Sequence, residues 1–182
     1  AVQDEATPLA PDNVYGVTKA AGLLTCRYYR RQHGLFASVG ILYNHESSLR
    51  SAKFVSQKIV QGALAIKDGR QKHITLGDLS AEVDWGYAPD YVAAMHKILN
   101  HSKADDFVVA SGKKHTVRDF VKLACGRLGL DWRSCVREKR GVLTKKRTSL
   151  VGSPKKLMRL TGWKPSVDFA GLVDALLRGA EQ

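Results

Sequence analysis

The chain has 182 residues, of which 44% are hydrophobic and 25% charged, with a formal net charge of +12. That length suits one ordinary domain with a real core, and no apolar run is long enough to cross a bilayer. Nothing at the start reads as a charged-then-apolar leader, and three cysteines (Cys26, Cys125 and Cys135) are an odd number without metal-type spacing, so reduced thiols in a cytoplasmic protein are expected.

The first loop contains Pro8, Pro11, Asp12 and Asn13. It leads into a helix predicted over 14–32, with Val17, Ala20, Ala21, Leu24 and Tyr28 as its apolar side and Cys26 as a small core residue. His33-Gly34 ends it, and Arg27, Arg30 and Arg31 lie in the last turns, where cations suit the helix dipole. Tyr15 and Lys19 stand near its start. Four apart on a helix, they share a face, and their head groups can reach a common point. An ammonium near a phenol favours the phenolate, which can take a proton from an alcohol while a hydride leaves the same carbon. The spacing also arises readily by chance, and an exposed tyrosine beside a solvated lysine reads equally from it.

Phe36 to Tyr43 is a short apolar run rich in β formers, consistent with a buried parallel strand. Asn44-His45-Glu46-Ser47 follows at its carboxyl end, where open α/β sheets place ligands. A helix over about 52–67 is stopped by Asp68-Gly69, and His73 to Leu76 reads as a strand. Ala88-Pro89-Asp90 enters a helix over 91–99, and Phe107 to Ala110 is another buried strand. Thr116 with Asp119 at the third helical position signals a capped helix over 117–128. Ser153-Pro154 reads as cap and first residue of a helix closed by Gly162, and a last helix covers about 168–178. The alternation of strands and helices predicts an α/β fold with a mainly parallel sheet.

Charge is uneven. Eleven Lys or Arg and a single acid, Glu138, fall between Arg133 and Lys164. Such a segment attracts phosphate, nucleic acid or an acidic surface, or is simply solvated. Interleaved aromatics for base stacking are missing, which disfavours nucleic acid as the partner.

Several blocks in order, Tyr15 to Lys19, Gly40 to Ser47, Phe54 to Lys58, Leu76 to Leu79, Asp84-Trp85-Gly86, Asp90 to Val92, Val151 to Leu157 and Leu160 to Pro165, resemble the GDP-mannose 4,6-dehydratase family of extended short-chain dehydrogenase/reductases. The resemblance covers nearly the whole chain, and the Asn-His-Glu-Ser block is its most specific part. It implies the C-terminal part of a Rossmann-like parallel sheet plus the smaller α/β substrate-binding region. Residues 1–50 would carry the catalytic helix and following strand, and 51–182 mainly the substrate side, with late segments returning to the sheet.

The reaction implied is transient oxidation of a hexose C4 with NADP (NAD being the alternative), loss of water across C5 and C6, and return of the hydride to C6. Tyr15 would be the base and Lys19 the residue that binds the nicotinamide ribose. Asn44 and His45 would lie at the cofactor, with Asn44, Val55, Lys58 and Arg147 on the nucleotide-sugar, GDP-mannose. A homo-oligomer associating through the Tyr15 helix is expected. The sequence departs from the family in three respects. The glycine-rich turn for the cofactor pyrophosphate is absent. The Ser/Thr and Glu that precede the tyrosine would fall before Ala1. Val83 stands where a diphosphate-binding Arg would be, leaving Lys145, Lys146 or Arg147 to compensate. The isolated chain is therefore expected to be inactive and to expose one flank of its sheet. Two other readings remain open: a nucleotide-sugar epimerase or reductase, and a non-catalytic module that binds an acidic partner or RNA through 133–164.

Overall fold

The computed structural model describes residues 2–139 and 149–180. In chain order the first elements are β1 (Val2–Gln3), α1 (Val14–His33), β2 (Val39–Leu42), β3 (Asn44–Glu46), α2 (Val55–Lys67) and β4 (Ile74–Leu76). Next come β5 (Glu82–Val83), β6 (Trp85–Tyr87), α3 (Ala88–Leu99), β7 (Asp106–Val109), β8 (His115–Thr116) and α4 (Val117–Arg127). The last are α5 (Trp132–Cys135), β9 (Val136–Glu138), β10 (Val151–Gly152), α6 (Lys155–Thr161) and α7 (Phe169–Ala180).

Among the described residues, β1–β10, β2–β7, β3–β6 and β4–β9 pair in parallel, and β5–β8 is antiparallel. The α/β class and the parallel majority follow the sequence pattern. One path matters most for the site. β2 runs beside β7 from Val39↔Asp106 to Leu42↔Val109, and β3 then pairs with β6 from Asn44↔Trp85 to Glu46↔Tyr87. The strand path changes partner at Tyr43, whose N–H still reaches Val109 O at 3.0 Å.

Two apolar clusters hold these layers. In the larger, Ile59, Val60 and Ala63 of α2 meet Phe120, Val121 and Ala124 of α4 and Leu172, Val173 and Leu176 of α7, with Trp85 among them. In the smaller, Tyr91, Ala94 and Ile98 of α3 join Phe107 and Val109 of β7, with Leu157 and Trp163. Each large side chain fully buried in this way contributes about 1.5–3 kcal/mol over leaving it in water.

Asp84, between β5 and β6, is 1% exposed. Its Oδ1 accepts from Ser111 N (2.9 Å) and Ser111 Oγ (2.6 Å), and its Oδ2 from Gly112 N (3.3 Å) and Gly152 N (3.1 Å). One carboxylate thus joins the β5–β6 junction, the turn after β7, and β10. Gly152 has no room for a side chain, since a Cβ would lie 2.5 Å from Ala110 Cβ and 2.7 Å from the Tyr43 ring.

Several expected details differ. The side of α1 read as apolar is in fact largely exposed, with Val17 at 53%, Leu24 at 54% and Tyr28 at 50%; Leu23 is the buried residue. The inward face is set by Leu23, Arg27 and Arg30, whose guanidinium groups reach a buried carboxylate described below. The strand expected over 36–43 is shorter and not fully buried, because Gly40 and Leu42 face outward. α2 begins at Val55 after Phe54, three residues later than expected. α3 begins at Ala88, because Pro89 fits a first turn. Pro154, rather than Ser153, occupies the cap of α6. Cys26 is half-buried rather than a core residue.

Asp84→Asn is expected to destabilise the chain by about 2–4 kcal/mol, because the new amide must face either the Ser111 donors or the two glycine N–H groups. Urea unfolding of both proteins checks it, and an unchanged midpoint would remove Asp84 as the tie.

Candidate active site

Asn13 starts α1 by accepting from Gly16 N at 2.8 Å, and Gly34 ends it in the left-handed conformation, φ 61°. The helix is held to the sheet near its carboxyl end. Arg27 Nε lies 2.5 Å from Asp106 Oδ2, and an Arg30 terminal nitrogen 2.8 Å from Asp106 Oδ1. The second Arg30 nitrogen donates to Ala37 O at 3.0 Å. Asp106 is buried, so these two guanidinium groups satisfy a carboxylate that would otherwise be costly to keep charged.

This anchoring leaves the first turns of α1 bordering an open cleft. Tyr15 is 71% exposed, and the Lys19 ammonium stands over its ring, 5.2 Å from the centroid. That distance is within cation–π range, so the two side chains do share a face as their spacing predicts. Both border a cleft of about 820 Å³ between α1, the 3–11 segment and β2. Gly40, Tyr43 and His45 are on its other walls.

Tyr43 donates to Gln3 Oε1 at 2.5 Å, fastening the first segment to the end of β2. Burial and the nearby Asp84 carboxylate push its phenol up to about 12, so it remains a neutral donor at ordinary pH. His45 lies against Tyr91, ring centroids 4.9 Å apart, with Nδ1 2.9 Å from Tyr43 O. Asn44 is exposed at the start of β3, its carbonyl 3.5 Å from the Tyr91 hydroxyl.

Glu46, 2% exposed, organises the next turn. Ser56 Oγ donates to Glu46 Oε2 at 2.5 Å, and Arg50 Nε lies 3.0 Å from the same oxygen, close enough for an ion pair but off the direction for a hydrogen bond. Arg50 also donates to His45 O at 3.0 Å and covers the Phe54 ring at 3.7 Å. Gln57 Nε2 donates to Ser47 O at 2.8 Å. Together these contacts fix the start of α2 against the end of β3.

The profile of the GDP-mannose 4,6 dehydratase family matches residues 1–176. GDP-mannose 4,6 dehydratase 1 of Arabidopsis thaliana is 40% identical over 176 residues, 96% of this chain and 49% of that protein. The Homo sapiens GDP-mannose 4,6 dehydratase is 42% identical over 120 residues, 66% of this chain and 32% of its own. The chain belongs to the GDP-mannose 4,6 dehydratase family. It spans about half the length of the Arabidopsis relative.

The fold has solved counterparts. RMD from Pseudomonas aeruginosa, complexed with NADPH, superposes with TM-score 0.87 at 24% identity over 99% of this chain and 60% of its own. The dTDP-glucose 4,6-dehydratase of Bacillus anthracis, in complex with NAD, gives 0.87 at 18% identity over 100% and 56%.

Of the expected GDP-mannose 4,6 dehydratase site residues, Tyr15, Lys19 and His45 border one cleft. Asn44 flanks it without being among its lining residues. Val55 and Lys58 lie beyond the Glu46–Ser56 contact, in the first turns of α2, Val55 against the larger core cluster and Lys58 exposed. Arg147, with Lys145 and Lys146, falls outside the described residues. Glu46, Arg50 and Ser56 were missed as organisers of the turn. Their signal was faint: a Glu inside the Asn-His-Glu-Ser block and an Arg four residues on.

Burial, opposed by the Ser56 hydroxyl and then Arg50, raises the Glu46 carboxyl above its ordinary value of 4.5. The folded chain therefore holds this proton more tightly than the unfolded one. Stability from Glu46 is complete below the ordinary carboxylate value and is lost as pH rises through the raised one. Glu46→Gln should remove this decline, because the amide oxygen still accepts from Ser56. Unfolding midpoints taken from acid to neutral pH test it, and parallel profiles for the two proteins would contradict the assignment.

Proposed function

We propose that this chain is the catalytic-helix and substrate-side part of an NADP-dependent nucleotide-sugar 4,6-dehydratase. It would turn GDP-mannose into GDP-4-keto-6-deoxymannose, with NAD as the alternative cofactor. The observation that carries this reading is Tyr15 and Lys19 facing one cleft with the carboxyl end of β2 in a chain of this family. RMD and the Bacillus dehydratase, which bind NADPH and NAD, support a nicotinamide cofactor.

The residues present suit one end of that cofactor. Tyr15 and Lys19 fit its nicotinamide ribose, whereas the sixteen glycines include no Gly-x-x-Gly-x-x-Gly cradle for the pyrophosphate. When bound, the cofactor would accept a hydride and later return it. Tyr15 would take the proton from the sugar C4 hydroxyl, and Lys19 would hold the ribose hydroxyls. Asn44 and His45 would hydrogen-bond at the cofactor and sugar. Val55 would line the base, and Lys58 with Arg147 would face the diphosphate. Phe54 caps α2 without a side-chain bond, so the positive end of that helix favours the same anion.

In this reading residues 1–50 carry the Tyr/Lys helix and its strand, and 51–182 mainly the substrate side. The protein works in the cytoplasm as a homo-oligomer, for which the outward Val14, Val17, Leu24 and Tyr28 of α1 offer an apolar surface. Alone, the chain is inactive. Val83 keeps an epimerase or reductase as the second reading, because that position carries no charge for a diphosphate.

Joining residues 1–176 to the amino-terminal half of the Arabidopsis relative tests the assignment. The chimera should release a 4-keto-6-deoxy sugar from GDP-mannose, and Tyr15→Phe should lower turnover by about 10²–10⁴-fold. An epimerised or reduced product would favour the second reading. Dehydrated product from the chain alone would overturn its inactivity.

A further inference from the structure

Cys125 and Cys135 lie far along the chain from the Tyr15 cleft and take no part in the chemistry above. Cys125 is in the last turn of α4 and Cys135 ends α5; they are 0% and 4% exposed and belong to the same apolar cluster. The backbone brings them together. After α4 the chain reverses, with Leu128 N and Leu130 N both returning to Cys125 O, at 3.0 and 2.9 Å. Asp131 then caps α5 by accepting from Arg133 N at 3.1 Å, and Cys135 N donates to Asp131 O at 3.2 Å. The turn packs α5 back on the end of α4, so both side chains enter one apolar cluster and Cys135 comes close enough to act on the Cys125 thiol.

We propose that Cys125 and Cys135 form a reversible modification site, an intramolecular disulfide made by exchange with a small-molecule disulfide such as oxidised glutathione. Cys135 is the entry point. It retains slight exposure and sits on a helix of one turn, which opens more readily than the end of α4. Burial and the neighbouring Cys135 push the Cys125 thiol up to about 12, so it is the poorer first nucleophile. Cys135 sulfur attacks one glutathione sulfur, the glutathione S–S bond breaks, and the first glutathione leaves as thiolate. Cys125 sulfur then attacks Cys135 sulfur, and the second glutathione leaves. The two protons given up by the cysteines end on the two glutathione thiols, and both electrons pass to glutathione.

The bond would tie the end of α4 to α5 and so to β9, which follows without a break. β9 pairs with β4 from Ile74↔Val136 to Leu76↔Glu138, and Glu138 Oε1 accepts from Leu79 N at 3.1 Å. Oxidation therefore fixes the strand that leads into the basic segment.

The folded 182-residue chain equilibrated with oxidised glutathione, then alkylated under denaturing conditions, gives the test. One labelled thiol, Cys26, is expected where the reduced chain shows all three, and tryptic peptides carrying Cys125 and Cys135 should be joined. The thermal midpoint should rise on the order of 5 °C. The Cys26→Ser chain should give the same joined peptides. Three labelled thiols, a link to Cys26, or glutathione retained on Cys125 or Cys135 would each overturn the proposal.

Discussion

The buried Asp84 carboxylate is the constraint on which the arrangement of segments depends. It satisfies donors from residues 111, 112 and 152, so segments far apart in the chain must meet at one point. Two of its donors are glycines. Gly112 takes φ 77° to aim its N–H inward, and Gly152 lies against Ala110 and Tyr43. The consequence reaches the site. Asp84 immediately precedes β6, and β6 sets the register of β3, which carries Asn44, His45 and Glu46. Burial first, and the Asp84 charge second, raise the Tyr43 and Tyr91 phenols, which stand beside that strand path.

The Tyr15 helix obeys a different rule. A helix that buries one apolar residue would gain little from the hydrophobic effect, and α1 is held instead by two arginines on the buried Asp106. That anchor lies three to four turns from Tyr15. The opposite end is capped by Asn13 and borders a cleft. An apolar docking face running the whole length would have placed the Tyr15 ring against protein.

What the sequence makes legible is local. Thr116 and Asp119 bond reciprocally as a capping box, and Gly34 and Gly162 end their helices at φ 61° and 65°. Such features are set by residues within a few positions of one another. The two-residue strands β1, β5, β8 and β10 are not legible, since β1 pairs with β10 across most of the chain and neither has a pattern of its own. The face of α1 was misread because its inward side is made of arginines, which by composition read as solvated. Asp84, Asp106 and Glu46 escaped for the same reason: acids are taken as surface residues until a structure shows the donors around them. At the site, Tyr15 and Lys19 were legible as a pair and ambiguous in meaning. The ordered blocks gave the family, whereas the Glu46, Arg50 and Ser56 network at the start of α2 needed coordinates.

Val83, the position at which the proposed reading would expect a diphosphate-binding charge, is accommodated by the fold as an aliphatic residue. It stands opposite His115 in the antiparallel β5–β8 pair and packs at the margin of the larger cluster. His115 in turn stacks on Phe169, centroids 3.9 Å apart, and burial holds its imidazole below the usual value, so Val83 meets a packed pair of rings. An aliphatic side chain suits it without any compensating partner. The neighbouring Glu82 is engaged by Lys114 at 2.5 Å, which keeps that lysine at the rim. In the proposed reading, the positive field for a diphosphate therefore rests on the other side of the site, with Lys58 and the uncapped start of α2. In that reading Glu46 and Ser56, hydrogen-bonded at 2.5 Å, hold the start of α2 in place, with the Glu46 carboxylate turned to Ser56 and Arg50.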